Sequence, residues 1–246
     1  MEKFTADIFL NSGIKQLSQP EKGYRFSIDP FILAAHIKKI DHKKILDAGC
    51  GCGIIPLILA VKSSCCKITG IEIQEELYLC AKKNITANKF ENTINIIHGD
   101  INNIHPPDIN GKTDIIVSNP PYIKKGSGRL NPDSQKAIAR HEITLDIDIL
   151  FKCSSRLLKK KGKLYLIFPA SRSADLFSTM ERYKFSPYFI RLVHITQNAP
   201  ARFIILCAEK NSSRSCIACP PFYIYTQNNK SEKIFSDEYL SIFQGM

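Results

Sequence analysis

Lys44 to Lys62, "KILDAGCGCGIIPLILAVK", is the stretch that decides the fold. Lys44-Ile45-Leu46-Asp47 has the apolar density of a short buried strand. Ile54 to Lys62 reads as a helix, with Pro56 in its first turn where a missing N–H costs little. Between them, Asp47-Ala48-Gly49-Cys50-Gly51-Cys52-Gly53 forms a glycine turn, which lets the chain reverse tightly and lets a ligand approach backbone without a Cβ in the way. Strand, glycine turn and helix together are the opening of a parallel α/β unit.

Outward from this unit the alternation repeats. Lys67 to Ile73 is the expected second strand, and Glu75 to Lys89 a helix with Leu77, Leu79, Cys80, Ala81 and Ile85 at helical spacing. Thr93 to Ile97 and Asp114 to Val117 are nearly all apolar, as strands buried on two faces should be. A polar stretch, Lys124 to Pro132, reads as a loop. Then come a helix over Leu145 to Leu158, a strand over Lys163 to Phe168, a helix over Ser173 to Tyr183 with Ser173 as candidate cap, and a closing antiparallel pair, Tyr188 to Ile195 with Arg202 to Glu209. Phe222-Tyr223-Ile224-Tyr225 suits a short extra strand. The expected fold class is α/β, a mostly parallel sheet with an antiparallel edge and helices on both faces. Three parts are expected: a capping segment over 1–42, a core over 43–210, and an extension packed on it over 211–246.

Composition narrows the class. The chain is 44% hydrophobic and 23% charged, a globular balance, and its start mixes Glu2, Lys3, Asp7 and Lys15 among apolar residues, unlike a signal peptide. The longest apolar run, Ile54 to Val61, falls far short of the roughly 20 residues of a membrane helix. A cytoplasmic protein is expected, with no membrane association and no obligatory protein partner. The nine cysteines are odd in number and include the adjacent pair Cys65-Cys66, which favours reduced thiols over a disulfide framework. Cys216 and Cys219 have a metal-like spacing but lack a second pair at a finger-like distance, so no metal site is expected. The net charge is +11, and Phe151 to Arg214 holds thirteen Lys or Arg against Asp175, Glu181 and Glu209. That asymmetry suits a polyanion, nucleic acid foremost, with a solvated face as the plainer alternative. Lys124, Lys125 and Arg129 in the loop, with Lys159, Lys160 and Lys161, are the candidate RNA contacts.

The glycine turn has partners at the expected distances. Glu72, 21 residues after Gly51, ends the second strand where a carboxylate would hold a ribose diol. Asp100 follows the third strand, where it can accept from an adenine amine or, equally well, cap a turn. The turn lacks the G-x-x-G tail of dinucleotide sites, which favours S-adenosylmethionine over NAD. Asp47, Gly49, Gly51, Glu72, Ile73, Asp100 and Ile101 are the cofactor candidates, with Asn119 reaching in from the fourth strand.

That strand ends in Asn119-Pro120-Pro121-Tyr122. An amino group conjugated to a ring is a poor nucleophile because its lone pair is delocalised. The Asn119 side-chain oxygen and the Pro120 carbonyl can each accept one of its N–H groups and aim the lone pair at a methyl donor. Pro120 and Pro121 fix the backbone in advance, and Tyr122 offers a stacking face for a base outside its stack. A rigid turn or a polyproline ligand is the plainer explanation of Pro-Pro-Tyr, but neither accounts for its place directly after a buried strand.

These motifs resemble the class I S-adenosylmethionine-dependent methyltransferases, with a seven-stranded Rossmann-like fold, and among them the Asn-Pro-Pro-Tyr group acting on planar nitrogens. Gly23 to Ala35 ("GYRFSIDPFILAA"), Ala139 to Glu142 ("ARHE") and Pro200 to Lys210 ("PARFIILCAEK") are similar to bacterial tRNA adenine-N6 methyltransferases that act on valine tRNA beside the anticodon. The resemblance implies methylation of adenine N6 at tRNA position 37 and adds Arg25 and Asp29 to the cofactor site. Cys50 and Cys52 depart from the family's glycine loop and raise a question of oxidation sensitivity. The glutamine methyltransferases of release factors share the glycine loop and Asn-Pro-Pro-Tyr but carry a helical N-terminal domain, for which the 46 residues before Asp47 are too few. A catalytically idle RNA-binding protein on the same scaffold is a third possibility, opposed by the intact Glu72, Asp100 and Asn119 motif.

Overall fold

Strand β1 (Lys44–Ala48) lies at the centre of a sheet whose order, within the computed structural model, is β3-β2-β1-β4-β5-β7-β6-β8, with β9 also on β6. The structure describes residues 13–19, 28–121, 146–227 and 233–244. Strands β2 (Lys67–Glu72), β3 (Ile94–His98), β4 (Thr113–Ser118) and β5 (Leu158–Pro169) are parallel to β1, whereas β7 (Ala201–Lys210) runs antiparallel between β5 and β6 (Phe185–His194). The chain winds from β1 to β3 on one side and crosses back to place β4 on the other. This makes the carboxyl ends of β1 and β4 the switch point where open α/β sheets bind ligands.

Alternating side chains divide the interior into two cores. One face packs Ile45, Val117, Tyr165 and Ile205 under helices α1 (Asp29–Ala35), α2 (Ile54–Lys62) and α3 (Glu75–Ala87). The other packs Leu46, Ile116, Leu166 and Leu206 under α4 (Ile147–Leu157) and α5 (Ser173–Arg182). Helix α2 presents Ile54 through Ala60 as buried residues, as a helix between sheet and flanking helices must.

Two expectations are corrected. The main sheet has nine strands rather than seven among the described residues, because β8 (Ile217–Ala218) and β9 (Phe222–Tyr223) pair in parallel with the free edge of β6. Paired backbone groups satisfy that edge; the amides of Cys219 and Ile224 donate to the carbonyls of Ile190 and His194. Ser173 is no cap either. The residue before α5 is Arg172, whose Nε donates to Asp175 at 3.2 Å.

Beyond β9, strands β10 (Tyr225–Gln227) and β11 (Lys233–Phe235) form a hairpin leading to α6 (Asp237–Gln244). Tyr239, Ile242 and Phe243 of α6 join the first core, with the Phe243 ring 5.5 Å from that of Phe31 in α1. A polar latch closes the same seam. His36 Nδ1–H donates to the Ile32 carbonyl at 2.7 Å, which leaves Nε2 to accept from Arg191, and Arg191 pairs with Glu238 of α6 at 2.7 Å.

Gly70, beside Asp47 in register, is where close packing demands a glycine. A Cβ there would lie 2.6 Å from Ile96 Cδ1 and 2.8 Å from Cys50 Sγ, pressing on both the core and the glycine turn. Gly70→Ala is expected to lower stability by about 1–3 kcal/mol, the usual cost of overpacking, measured by urea denaturation.

Candidate active site

The carboxyl ends of β3, β2, β1 and β4, four adjacent strands, bring Asp100, Glu72, the glycine turn and Asn119 to one edge. The turn is anchored from below. The amides of Gly49 and Cys50 both donate to the Ile71 carbonyl, at 2.9 and 3.0 Å, and the Gly51 amide donates to Glu72 Oε2 at 2.8 Å. Gly51 has φ +55°, and a Cβ built on it would meet nothing within 4 Å, so the backbone faces open space a ligand can enter.

Glu72 is 4% exposed. Its second oxygen accepts from the Gln74 amide at 2.9 Å, so each oxygen holds one backbone N–H and keeps acceptor capacity for a hydroxyl. Burial raises its pKa, and the amides of Gln74 and Gly51 counter that by favouring the ionised form. Asp47 is fully buried, and neither carboxylate oxygen has a hydrogen-bond partner among the described residues. Burial, with the nearby Glu72 charge adding to it, pushes this carboxyl well above the usual carboxylate range. Glu72, with two backbone donors, is therefore the member of the pair better able to carry the charge.

Asp100 realises the plainer of its two expected roles, since Oδ1 accepts the Asn102 amide at 2.8 Å and caps the 3-10 turn Ile101–Asn103. The cap leaves its acceptor capacity incompletely used. Ile101 is buried beneath this turn, and the Ile73 carbonyl accepts from the ring of His98. Ser118, one residue before Asn119, donates from Oγ to the Ala48 carbonyl at 2.8 Å, tying the end of β4 to the glycine turn. Asn119 is half-buried, Pro120 buried and Pro121 exposed. Asp29 opens α1 with 7% exposure. Arg25, Tyr122, Lys124, Lys125 and Arg129, and the segment Ala139 to Glu142, lie outside the described residues.

The thiols of the turn are sheltered. Cys50 and Cys52 are 4% and 6% exposed, and burial pushes Cys50 well up and Cys52 up to about 12. Protonated, buried thiols are poor nucleophiles and resist oxidation.

Asn84 and Asn88 escaped notice in the sequence. Asn84 Nδ2 donates to the carbonyls of Cys52 and Ser18, each at 2.9 Å, while its Oδ1 accepts the Ser18 amide at 2.7 Å. Asn88, one turn on, accepts the Lys15 amide at 2.7 Å. The pair clamps the N-terminal segment against the glycine turn. The signal was present as an amide, Asn84, on the buried and otherwise apolar face of α3 with Leu77, Ala81 and Ile85, and a second, Asn88, at its C-cap one turn on.

Lys159, Lys160 and Lys161 sit at the opposite edge. Leu158 pairs with Thr113 at the start of β4, and Lys159 Nζ is bonded to Asp114 at 2.9 Å. The length of β4 puts roughly 17 Å between them and Asn119.

The residues at the carboxyl edge fit an S-adenosylmethionine-like group. Glu72 can take a diol, the unpartnered oxygens of Asp47 suit a cationic amine reached directly or through water, and the bare backbone at Gly51 leaves room. No cluster of three or more metal-ligating side chains exists among the described residues, and none of their helices is long and apolar enough to cross a membrane.

Comparisons agree with this geometry. The family model described as methyltransferase small domain matches residues 28–184. A tRNA1(Val) (adenine(37)-N6)-methyltransferase of Porphyromonas gingivalis is 41% identical over 133 residues, 53% of this chain and 51% of that protein, so the match spans about half the relative's length. One from Parabacteroides distasonis is 31% identical over 72% of this chain and 73% of its own. In three dimensions, a predicted O-methyltransferase of Agrobacterium tumefaciens superposes with a TM-score of 0.69 over 88% of this chain and 96% of that chain, at 17% identity, a likeness of fold.

Proposed function

Since the chain belongs to the methyltransferase small domain family, and within it to the tRNA1(Val) (adenine(37)-N6)-methyltransferases, we propose that it methylates N6 of adenine 37 in a valine tRNA, in the cytoplasm. The observation that carries this is the convergence of Asp47, Glu72, Asp100 and Asn119-Pro120 on one sheet edge at the switch point. S-adenosylmethionine, when bound, supplies a methyl group made electrophilic by its sulfonium.

Glu72 holds the ribose hydroxyls, Asp47 faces the cationic amine, and Asp100 and Ile101 border the adenine. Asn119 Oδ1 and the Pro120 carbonyl each accept an N–H of the target amine, which localises its lone pair toward the methyl. The rigid Pro120-Pro121 backbone holds the second acceptor in place before the substrate arrives, so positioning rather than a strong base carries the rate. The proton released after transfer leaves from the amine to water. Tyr122 supplies the ring on which the extruded base stacks.

The test is transfer of labelled methyl groups to total tRNA from cells lacking this activity, followed by mass spectrometry of the digested RNA. N6-methyladenosine at position 37 of a valine tRNA is expected. Label found only in a release factor would refute the RNA assignment and favour glutamine methylation.

A further inference from the structure

We propose that the open end of the sheet at β6 and β9 is a stacking platform for unpaired RNA nucleotides flanking the target base, with Arg202 as its phosphate contact. The inference rests on the RNA reading above.

Register fixes which side chains share this surface. Val193 of β6 and Phe222 of β9 are partners, and both are buried in the first core. The next pair, His194 and Tyr223, therefore turns to the other face, and their rings lie 5.5 Å apart. Leu192 shares that face. Its partner Ile204 is 2% exposed under the helix layer, whereas Leu192 is 39% exposed, so the cover ends there and the face opens to solvent.

His194 Nδ1 is 2.8 Å from the Ala199 carbonyl, which fixes the ring in place. An apolar floor, a tyrosine and an oriented imidazole offer ring faces that accept any base by stacking.

The charge lies beside it. β7 runs antiparallel, so its first residues come to the carboxyl edge, and a register shift between Val193↔Phe203 and His194↔Ala201 leaves Arg202 as the extra residue opposite His194. Arg202 is exposed, its guanidinium sits 5.3 Å from the Phe203 ring, and it has no carboxylate partner among the described residues. Neighbouring Arg172 is already paired with Asp175.

The platform and Asn119 lie on the same edge, because β4, β5, β7, β6 and β9 are consecutive in the sheet. Strand spacing of about 4.8 Å puts Arg202 roughly 10 Å and Tyr223 roughly 19 Å across the sheet from β4, and both stand about four residues, roughly 13 Å, beyond Ser118 along the strand direction. A strand whose target base enters at Asn119 would pass its neighbours over these side chains. Bases and phosphates match rings and an unpaired arginine better than a protein segment does.

The experiment is steady-state kinetics of the full chain on transcribed valine tRNA, with cofactor affinity and melting temperature measured for each variant. Tyr223→Ala is expected to raise KM for the tRNA roughly 10-fold, the effect of one lost base stack, at unchanged kcat and cofactor affinity. Tyr223→Phe should keep the wild-type KM. Arg202→Gln should raise KM and reduce the slope of log affinity against log salt by about 0.7. A folded Tyr223→Ala protein with wild-type KM overturns the platform. If that variant fails to fold, an Arg202→Gln protein with unchanged KM and salt slope overturns it equally. Failure of the wild type to methylate any tRNA would instead defeat the proposed function. A Tyr223→Ala defect confined to methylation of a release factor would make the surface a protein-docking site and end the platform.

Discussion

Asn119→Ala is expected to lower kcat for tRNA methylation by about 10²–10³-fold, the usual loss when one preorganised hydrogen-bonding group is removed from a reacting centre. Affinity for S-adenosylmethionine should change by less than about threefold. The residue follows β4, and Ser118, bonded from Oγ to the Ala48 carbonyl at 2.8 Å, holds that strand end against the glycine turn. The turn keeps its own anchors, through the amides of Gly49, Cys50 and Gly51. Alanine should therefore delete an acceptor and leave the scaffold standing. Single-turnover kinetics with saturating tRNA and calorimetric titration of the cofactor separate the two quantities. A large loss of cofactor affinity at unchanged kcat would move Asn119 from the base side of the site to the cofactor side.

Asp47→Asn should have opposite effects on stability and on function. In the cofactor-free chain Asp47 is a buried carboxyl with no donor among the described residues, held well above its ordinary pKa by burial. A group whose folded pKa is raised gives its full stability below the unfolded value, about 3.9. That contribution is lost as pH rises through the folded value, because the unfolded chain then binds fewer protons than the native one. At neutral pH the neutral asparagine removes this penalty, and the free protein should gain about 1–3 kcal/mol. For a chain of this size that is an increase of a few degrees in Tm, and the gain over wild type should shrink as pH falls toward 4. Cofactor affinity should fall about 10- to 100-fold, because a charge-assisted contact to the cationic amine is lost. Differential scanning calorimetry across pH, with and without S-adenosylmethionine, reads both effects. A variant less stable than wild type at pH 7, with wild-type cofactor affinity, would mean that Asp47 is satisfied in the free protein.

Most of the cofactor side was legible before folding. Strand, glycine turn and helix are local patterns, and the spacing from Gly51 to Glu72 is set by the helix and strand between them. The boundaries of α2, Ile54–Lys62, match the periodicity residue for residue because its apolar run and Pro56 leave no competing choice. The placement of Asn119-Pro120-Pro121 directly after a buried strand was legible for the same reason, as an amide and two prolines following an apolar run.

Charge counting finds basic residues without fixing which edge of the sheet they reach, because it ignores strand direction. Lys159 to Lys161 lie in the first residues of β5, between its Leu158 and Lys163 pairings with β4, so in a parallel sheet they fall at the amino edge. Arg202 also stands at the start of its strand, yet comes to the carboxyl edge, because β7 is antiparallel. The tail shows the same limit. Two-residue strands such as β8 and β9 carry almost no periodic signal, and they form because β6 offers an unpaired edge.

The amino-acid sequence alone determined the α/β class, the glycine turn with its carboxylates, and the amide-proline end of β4, since each depends on neighbours within about 30 residues. The tertiary structure decided which strand lies beside which. It placed β4 against β1 to close the site, set Asn84 under the glycine turn, and gathered Leu192, His194, Arg202 and Tyr223 at one edge. Those juxtapositions come from pairing between segments far apart in the chain, where the energy lies in register and burial that no local pattern encodes.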